Sequence, residues 1–329
     1  MKEARHSAAS TQRLDPDREG IEAAARLLAG GKLVAFPTET VYGLGADATD
    51  ARAVARLYEA KARPAFNPLI AHVADLPAAR RAGAFTPLAE RLAAKFWPGP
   101  LTLVVPATAL VCELARAGLA TVALRVPAHA VAQRLLAAFG KPVAAPSANR
   151  SGHVSPTRAE HVIADLAGRI EAVLDGGPTP LGLESTIVDC SGAAPLLLRP
   201  GGVPRADLER ALGANVADAS NADAAAPQSP GRLASHYATR ARLRLDAEET
   251  RPGEAVLNFG AQRLTGIEKA AAVLDLSPAG DLAEAAAHLF AHLRALDATG
   301  AAVIAVAPIP REGLGEAIND RLARGAAPR

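Results

Sequence analysis

The amino-acid sequence predicts an α/β fold with two domains. Short apolar runs of strand character alternate with helical periodicity along most of the chain, which is the pattern of α/β proteins. The 329 residues exceed one ordinary hydrophobic core, and 50% of them are apolar, so a sizeable core can form. Residues 214–227 are mostly alanine, asparagine, aspartate and serine, a composition typical of linkers. We therefore expect domains at residues 15–213 and 241–329, joined by a linker at 214–240.

Periodicity and chain breakers define the elements of the first domain. Gly30 and Gly31 end the first helix, Pro37 ends the first strand, and Trp97-Pro98-Gly99-Pro100 separates a helix from the strand that follows it. Helices are predicted at 18–29, 51–61, 86–96, 128–139 and 157–170. Strands are predicted at 33–36, 69–73, 101–105, 122–126, 143–145, 172–174, 185–189 and 196–198.

The second domain reads as a small α/β unit. A helix begins at Asp281, where Asp281 and Glu284 form a predicted capping box ahead of an apolar face. Strands are predicted at 255–259, 271–274 and 302–307.

Charge and cysteine content limit the class of protein. The formal net charge is +2, from 36 basic and 34 acidic residues, so bulk charge makes no case for nucleic acid or an acidic membrane surface. The two cysteines, Cys112 and Cys190, are too far apart in sequence for a metal-ligand motif and fit a reducing cytoplasm. No apolar run is long enough to span a bilayer, and residues 1–18 lack the apolar core of a signal peptide. We expect a soluble cytoplasmic protein.

The chain is organised around the stretch from Phe36 to Gly45. Thr38, Glu39 and Thr40 follow the first strand directly, and the glycines at 43 and 45 let the backbone turn tightly or approach a ligand. These residues predict a polar binding loop after the strand. A plain strand-to-helix turn with capping hydroxyls is the alternative.

A phosphate site is predicted without the usual nucleotide motifs, since the sequence has no Walker A, dinucleotide-binding or nucleophile-elbow pattern. Lys61 and Arg63 lie beside Pro64, and Asn67 and Pro68 follow, so two cations sit on a backbone with restricted freedom. A triphosphate is the expected partner. The alternative is a solvated basic helix end that interacts with the helix dipole.

Polar residues follow several other predicted strands. Ser147, Asn149 and Ser155 come after the strand at 143–145, Ser185 follows Glu184, and Arg199 lies at a strand end. Ligands of α/β sheets bind outside the carboxyl ends of strands. We therefore expect the strand-end residues Thr40, Arg63, Ser147, Ser185 and Arg199 to converge on one site.

Five motifs carry a resemblance to a known family. They are Pro37-Thr38-Glu39-Thr40-Val41-Tyr42-Gly43-Leu44-Gly45, Lys61-x-Arg63-Pro64-x-x-x-Pro68-Leu69, Trp97-Pro98-Gly99-Pro100-Leu101-Thr102, Pro146-Ser147-Ala148-Asn149 and Glu184-Ser185-Thr186. With them the chain resembles the Sua5/YrdC/YciO family over residues 20–202. The segment Ser229-Pro230-Gly231 to His236-Tyr237 and the second domain resemble the longer, two-domain Sua5 branch. The resemblance implies a YrdC-like open twisted sheet and a smaller Rossmann-like α/β domain.

The resemblance also implies an activity, that of an L-threonylcarbamoyladenylate synthase and hence a nucleotidyltransferase. ATP, L-threonine and bicarbonate would give threonylcarbamoyl-AMP and pyrophosphate, with Mg²⁺ accompanying ATP. A downstream threonylcarbamoyl transferase would use the product to modify the adenosine next to the anticodon in tRNA. No protein-held metal is expected.

Site residues are carried over by motif. The resemblance assigns threonine binding to Thr40, His72, Arg125, Ala145 (through its backbone) and Ser185. It assigns ATP binding to Lys61, Arg63, Asn67, Thr121, Ser147, Asn149, Ser155, Arg199, His236 and Tyr237, with Lys61 and Arg63 acting on the phosphates during catalysis. A lone strand histidine such as His72 is otherwise usually structural.

Two points stand against a complete transfer. Between Gly231 and His236 the sequence keeps one basic residue, Arg232, and Thr239 replaces an expected proline, which bears on linker contacts with nucleotide. We expect residues 229–237 to close over the site as a lid. The competing hypothesis is an RNA-binding or ribosome-maturation module without synthase activity, whose arginines would contact RNA phosphates.

Overall fold

The computed structural model describes residues 10–64, 66–219 and 236–328. Its helices are α1 (Arg18–Ala29), α2 (Ala51–Lys61), α3 (Leu76–Ala82), α4 (Pro87–Phe96), α5 (Ala130–Phe139), α6 (Ala159–Leu166), α7 (Arg205–Leu212), α8 (Leu282–Ala298) and α9 (Leu314–Ala326). The strands of the larger sheet are β1 (Gln12–Leu14), β2 (Val34–Phe36), β3 (Gly43–Asp47), β4 (Ile70–His72), β5 (Leu101–Pro106), β6 (Thr121–Arg125), β7 (Val143–Ala144), β8 (Ala172–Leu174), β9 (Thr186–Asp189), β10 (Leu196–Arg199) and β11 (Ala217–Asp218). The remaining strands are β12 (Arg242–Arg244), β13 (Ala255–Asn258), β14 (Ala272–Asp275) and β15 (Val303–Val306).

The α/β fold class is confirmed. The larger sheet has the strand order β1-β8-β2-β3-β7-β4-β6-β5-β9-β10-β11. It mixes parallel pairs such as β4 with β6 and antiparallel pairs such as β4 with β7. Strands that are neighbours in space are therefore often distant in the chain, which brings separate sequence motifs together.

Helices cover both faces of this sheet. Successive residues of β2 point to opposite faces of the sheet. Val34 and Phe36 pack with α1 and α5 on one face, and Ala35 packs with α2 on the other. This alternation is the two-residue period of a strand. The larger core, on the α2 side, also includes residues of α3, α4, α6 and α7.

Capping explains where the first two helices begin. The Asp17 carboxylate accepts a hydrogen bond from the Gly20 amide, and Asp50 accepts one from the Arg52 amide. These bonds satisfy amide groups that have no partner within the helix. The predicted bounds of α1 and α2 are confirmed at both ends.

The stretch after Phe36 is only partly a loop. Residues 43–47 form β3, which pairs with β2 so that Gly43 lies opposite Phe36. The prediction that the backbone turns at the two glycines was wrong, because both lie in this strand. A Cβ at Gly45 would lie 3.0 Å from the side chains of both Phe36 and Val143. Glycine is present there because the strands pack closely.

The predictions omitted six further elements, namely β1, α3, α7, β11, β12 and α9. The helix predicted at 157–170 is shorter in the structure, where it is confined to α6.

The second sheet is parallel throughout, with the order β12-β15-β13-β14. Helices α8 and α9 pack against it and share one hydrophobic core with it. Asp281 caps α8 as expected. In a capping box Glu284 would accept a hydrogen bond from the Asp281 amide, but that amide donates to the Ser277 hydroxyl, which itself donates to Glu284. The second half of the predicted capping box was therefore wrong.

The predicted linker is partly ordered by the larger sheet. Strand β11, at 217–218, pairs with β10, and residues 220–235 lie outside the described residues. None of the described helices is long and apolar enough to cross a membrane.

Candidate active site

A cavity against the larger sheet collects most of the predicted site residues. Its lining consists of Thr38, Thr40, Val41, Gly43, Arg63, Ile70, His72, Arg125, Ala145, Pro146, Ser147, Glu184, Ser185, Arg199, His236 and Tyr237. Ile70 and His72 are two residues apart on β4 and therefore point to the same side of the sheet. The cavity thus lies against a face of the sheet, and not only beyond the carboxyl ends of its strands as expected. Strands β4 and β7 run antiparallel, so the carboxyl ends of neighbouring strands do not share one edge.

The loop between β2 and β3 supplies two hydroxyl groups. Thr38 Oγ1 donates to the Val41 carbonyl at 2.7 Å and lies 2.7 Å from Thr40 Oγ1. A hydroxyl has one proton, so Thr40 donates to Thr38 while Thr38 donates to Val41. The lone pairs of Thr40 are then left to accept a hydrogen bond, which suits an amine or ammonium group.

Three buried arginines line the cavity. Arg63 donates to the carbonyls of Asn67 and Pro68, with the latter at 3.2 Å, and Arg199 donates to the Ser185 carbonyl at 2.9 Å. Arg125 donates to the Gly99 carbonyl at 3.3 Å. Burial lowers the pKa of Arg63 to about 10 and also lowers that of Arg199. Carbonyl oxygens orient these guanidinium groups, and the three positive charges together favour anions in the cavity.

Arg125 has one close carboxylate neighbour. Its Nη2 atom lies 2.8 Å from Glu39 Oε1, and both side chains are nearly inaccessible to solvent. The pair lacks hydrogen-bond alignment, because neither Glu39 oxygen nor Arg125 Nη2 has a hydrogen-bond partner within the described residues. Arg125 can therefore exchange this contact for a better-aligned carboxylate.

Two buried histidines line the cavity in their neutral form. Burial, reinforced by the charge of Arg125, lowers the pKa of His72 to about 3. Burial likewise lowers the pKa of His236 to about 3. His72 lies opposite Arg125 in the pairing of β4 with β6. Neutral imidazoles can donate to or accept from a ligand without adding charge.

Ser185 belongs to a hydroxyl network in the cavity wall. Its Oγ lies 2.7 Å from Thr102 Oγ1 and accepts from Arg199 Nη2 at 3.3 Å. Thr102 comes from the Trp97 to Thr102 motif, to which no binding role was given. Its partner Ser185 is 83 positions away, so the sequence alone could not pair them.

Five predicted ATP ligands lie outside the cavity lining. Lys61 Nζ donates to the Ser147 carbonyl at 2.5 Å and to the Asn149 carbonyl, and burial lowers the pKa of Lys61 well below its usual value. Lys61 thus stabilises the loop that carries Ser147. Its predicted contact with the phosphates stays a prediction. The predicted ATP contacts of Asn67, Thr121, Asn149 and Ser155 stay predictions as well.

Two of these residues make contacts that shape the same loop. Asn149 Nδ2 donates to the carbonyls of Arg150 and His153, at 2.8 and 2.9 Å. Ser155 Oγ donates to Glu184 Oε1 at 2.6 Å. Glu184 lines the cavity and was missed as a site residue, although it stands in the Glu184-Ser185-Thr186 motif.

His236 and Tyr237 close one side of the cavity. Their ring centroids lie 4.3 Å apart, and Tyr237 stacks on Phe290 of α8 at 5.4 Å. Tyr237 has a positive φ of 63°, which non-glycine residues rarely adopt. The predicted lid begins outside the described residues, so its closure over the site stays a prediction.

The magnesium ion that the resemblance implies would accompany ATP. The described residues contain no group of three or more His, Cys, Asp or Glu side chains placed to hold a metal, and Glu184 already bonds Ser155 and Arg321. Mg²⁺ commonly binds through substrate phosphates and water. Arg63 and Arg199 in the cavity lining carry positive charge that the phosphates of such a complex need.

Family models match both parts of the chain. A Sua5/YciO/YrdC model, described as telomere recombination, matches residues 26–201. A model described as the C-terminal domain of threonylcarbamoyl-AMP synthase matches residues 203–327.

Similar proteins cover nearly the whole chain. Threonylcarbamoyl-AMP synthase of Pyrococcus abyssi is 42% identical over 93% of this chain and 94% of its own length. That of Bacillus subtilis is 40% identical over 97% of this chain and 96% of its own length. The crystal structure of P. abyssi Sua5 complexed with L-threonine matches with a TM-score of 0.86 and 39% identity, covering 96% of this chain and 97% of that one. The chain therefore belongs to the Sua5/YrdC/YciO family, in its two-domain Sua5 branch.

Proposed function

We propose that the chain is a threonylcarbamoyl-AMP synthase, a nucleotidyltransferase that uses ATP, L-threonine and bicarbonate. Relatives that match over nearly their full length carry this name, and one similar solved protein holds L-threonine. The observation that carries the proposal is the convergence of Arg63, Arg125 and Arg199 on one cavity. All three substrates bring negative charge, which buried guanidinium groups attract.

The threonine subsite is proposed around Arg125. The Arg125 fork would bind the substrate carboxylate in place of Glu39, because two parallel bonds are better aligned than the contact with Glu39. Thr40 would accept from the substrate amine. His72, Ser185 and the backbone of Ala145 line the remaining wall, where the substrate side chain and its hydroxyl would lie.

The ATP subsite is proposed on the side of Arg63 and Arg199. Their guanidinium groups would bind the phosphates, while Ser147 and the ring pair His236 and Tyr237 would contact the nucleotide. Lys61, Asn67, Thr121, Asn149 and Ser155 complete the predicted ATP set. Lys61 and Asn149 would also support ATP binding by holding the loop that carries Ser147, because both donate hydrogen bonds to backbone carbonyls of that loop.

The reaction needs orientation and charge neutralisation more than a protein nucleophile. The threonine nitrogen attacks the bicarbonate carbon, and loss of water leaves a carbamate. A carbamate oxygen then attacks the α-phosphorus of ATP. The bond to the β-phosphate oxygen breaks, and pyrophosphate leaves. Arg63 would stabilise charge that develops on the phosphates.

The cellular setting is also proposed. The product would pass to a threonylcarbamoyl transferase that modifies the adenosine next to the anticodon in tRNA, and MgATP would be the nucleotide substrate. The cytoplasm fits this role, and both cysteines are free thiols in the structure.

The RNA-binding alternative is not favoured by the geometry. Arg63, Arg125 and Arg199 are 8%, 3% and 4% exposed. The phosphates of an RNA duplex could not reach arginines that are enclosed in this way, whereas one amino acid and one nucleotide can enter a cavity. Threonine-dependent release of pyrophosphate by the purified protein is the experiment that tests the synthase proposal.

A further inference from the structure

A buried arginine from the second domain bonds residues that line the cavity. Arg321 lies on α9, and its side chain has 0% exposure. A buried charged group is costly unless its environment compensates it. Its contacts therefore indicate what the residue does.

Arg321 joins three separate segments of the active site. Its Nε donates to Glu184 Oε2 at 2.8 Å, and its Nη2 donates to the Pro200 carbonyl at 2.9 Å. Its guanidinium carbon lies 5.4 Å from the centre of the Tyr237 ring. Glu184 and Tyr237 line the cavity, and Pro200 directly follows Arg199, which also lines it. One side chain thus fixes parts of three cavity walls.

The charge of Arg321 is one of the interactions that keep Glu184 ionised. Burial alone would raise the pKa of Glu184, but the charges of Arg321 and Arg199 and the bonds from Ser155 and Arg321 lower it to about 2. The charged or titratable groups that interact with this carboxylate among the described residues are Arg321, Arg199, His236 and Tyr237, while Asp320 accepts from the Nη1 atom of Arg321 at 2.6 Å. Without Arg321, the buried carboxylate of Glu184 would lose a positive charge and a hydrogen bond that offset the cost of its burial, and it would lie near the proposed phosphate site.

We propose that Arg321 is a positioning residue for the synthase reaction, through which the second domain completes the active site. It holds Glu184 as an oriented carboxylate, fixes the turn after Arg199 and supports the Tyr237 ring. This inference rests on the proposed function. Arg321 does not line the cavity, so it acts through the residues that it contacts.

A second ion pair between the same two parts of the chain provides a matched control. Arg205 of α7 lies 2.5 Å from Glu316 of α9, with 25% of the arginine side chain exposed. Neither residue lines the cavity. If Arg321 served only to join the two domains, the Arg205→Gln and Arg321→Gln variants would have similar effects.

The kinetic test compares full-length variants in the threonine-dependent release of pyrophosphate. We expect Arg321→Gln to lower kcat by about 100-fold, as for displaced reacting groups, while Arg205→Gln stays within about threefold of the parent protein. Arg321→Lys should recover only part of the loss, because one ammonium cannot bond Glu184 and the Pro200 carbonyl in the same fork geometry. A kcat for Arg321→Gln within threefold of the Arg205→Gln value would overturn the proposal. If Arg321→Gln does not fold, Arg321→Lys takes its place, with a loss of about tenfold expected.

A second readout does not depend on the activity. Carbon NMR of glutamate-labelled protein, with the Glu184 signal assigned by its loss in Glu184→Gln, follows the titration of this carboxyl group. We expect Glu184 to titrate at a higher pH in Arg321→Gln, at an intermediate pH in Arg321→Lys because the ammonium keeps a positive charge, and at an unchanged pH in Arg205→Gln. An unchanged titration in the Arg321 variants overturns the proposal whatever the kinetics show. A parent protein that releases no threonine-dependent pyrophosphate refutes the synthase function, and the titration then decides the positioning of Glu184 by itself.

Discussion

Arg125 Nη2 lies 2.8 Å from Glu39 Oε1, in a buried contact that lacks the alignment of a hydrogen bond. The two residues belong to different elements, since Arg125 ends β6 and Glu39 lies in the loop after β2. The proposed substrate carboxylate would take the place of Glu39 at Arg125. This contact is therefore the point at which threonine recognition can be tested most simply.

The first prediction concerns threonine affinity. Arg125→Gln combined with Glu39→Gln removes both charges and leaves neither buried alone, so the fold should be retained. We expect threonine binding to weaken by about 2 kcal/mol, as for the loss of a charge-assisted bond, with ATP affinity nearly unchanged. Calorimetric titration of each ligand measures this. The exposed Arg80→Ala variant is the control, and equal weakening of both ligands would contradict a threonine-specific role.

The second prediction concerns Arg63. If its guanidinium binds the phosphates of ATP, Arg63→Ala should weaken ATP binding by about 2 kcal/mol or more. Arg63→Lys should recover only part of this, because an ammonium cannot form the planar fork. ATP affinities of the three proteins, measured by calorimetry without threonine, decide the matter. Identical values would return Arg63 to a structural role.

The third prediction concerns acid stability. Burial lowers the pKa of His72 from 6.5 to about 3 in the folded protein. Between these values the unfolded chain binds a proton that the folded one does not. The free energy of unfolding therefore falls as the pH falls through 6.5 towards 3, at about 1.4 kcal/mol per pH unit for one full proton.

His72→Gln should accordingly flatten this decline when unfolding in urea is measured from pH 7 to pH 4. His161 is the matched control, because burial lowers its pKa to about 4 and it does not line the cavity. Both variants should flatten the slope, but only His72→Gln should weaken threonine binding. An unaltered slope in His72→Gln would mean that His72 is not buried in its neutral form.

The sequence predicted helices well where local signals determine their ends. Both ends of α1 and α2 were predicted correctly, since Asp17 and Asp50 cap their first turns within three residues. Strand β3 was missed because its glycines are weak strand formers. Glycine is needed at position 45 because the side chains of Phe36 and Val143 lie close by. That closeness depends on the pairing of strands that are distant in the sequence.

The same distinction holds for the candidate site. Motifs identified residues such as Thr40 and Arg63, which the structure brings to one cavity. They did not reveal that Lys61 bonds carbonyls 86 and 88 positions away, or that Arg321 bonds Glu184 over 137 positions. These contacts depend on the mixed strand order and on the packing of α9, which no local pattern encodes.

The most direct test of the central claim is the release of pyrophosphate by the full-length protein. The protein is incubated with ATP, Mg²⁺, L-threonine and bicarbonate, and pyrophosphate is measured against reactions that lack threonine or bicarbonate. We expect release that requires both, together with a product of the mass of threonylcarbamoyl-AMP. The combined Arg125 and Glu39 variant should need far more threonine for the same rate. Pyrophosphate release no higher than in the threonine-free reaction would contradict the proposed synthase.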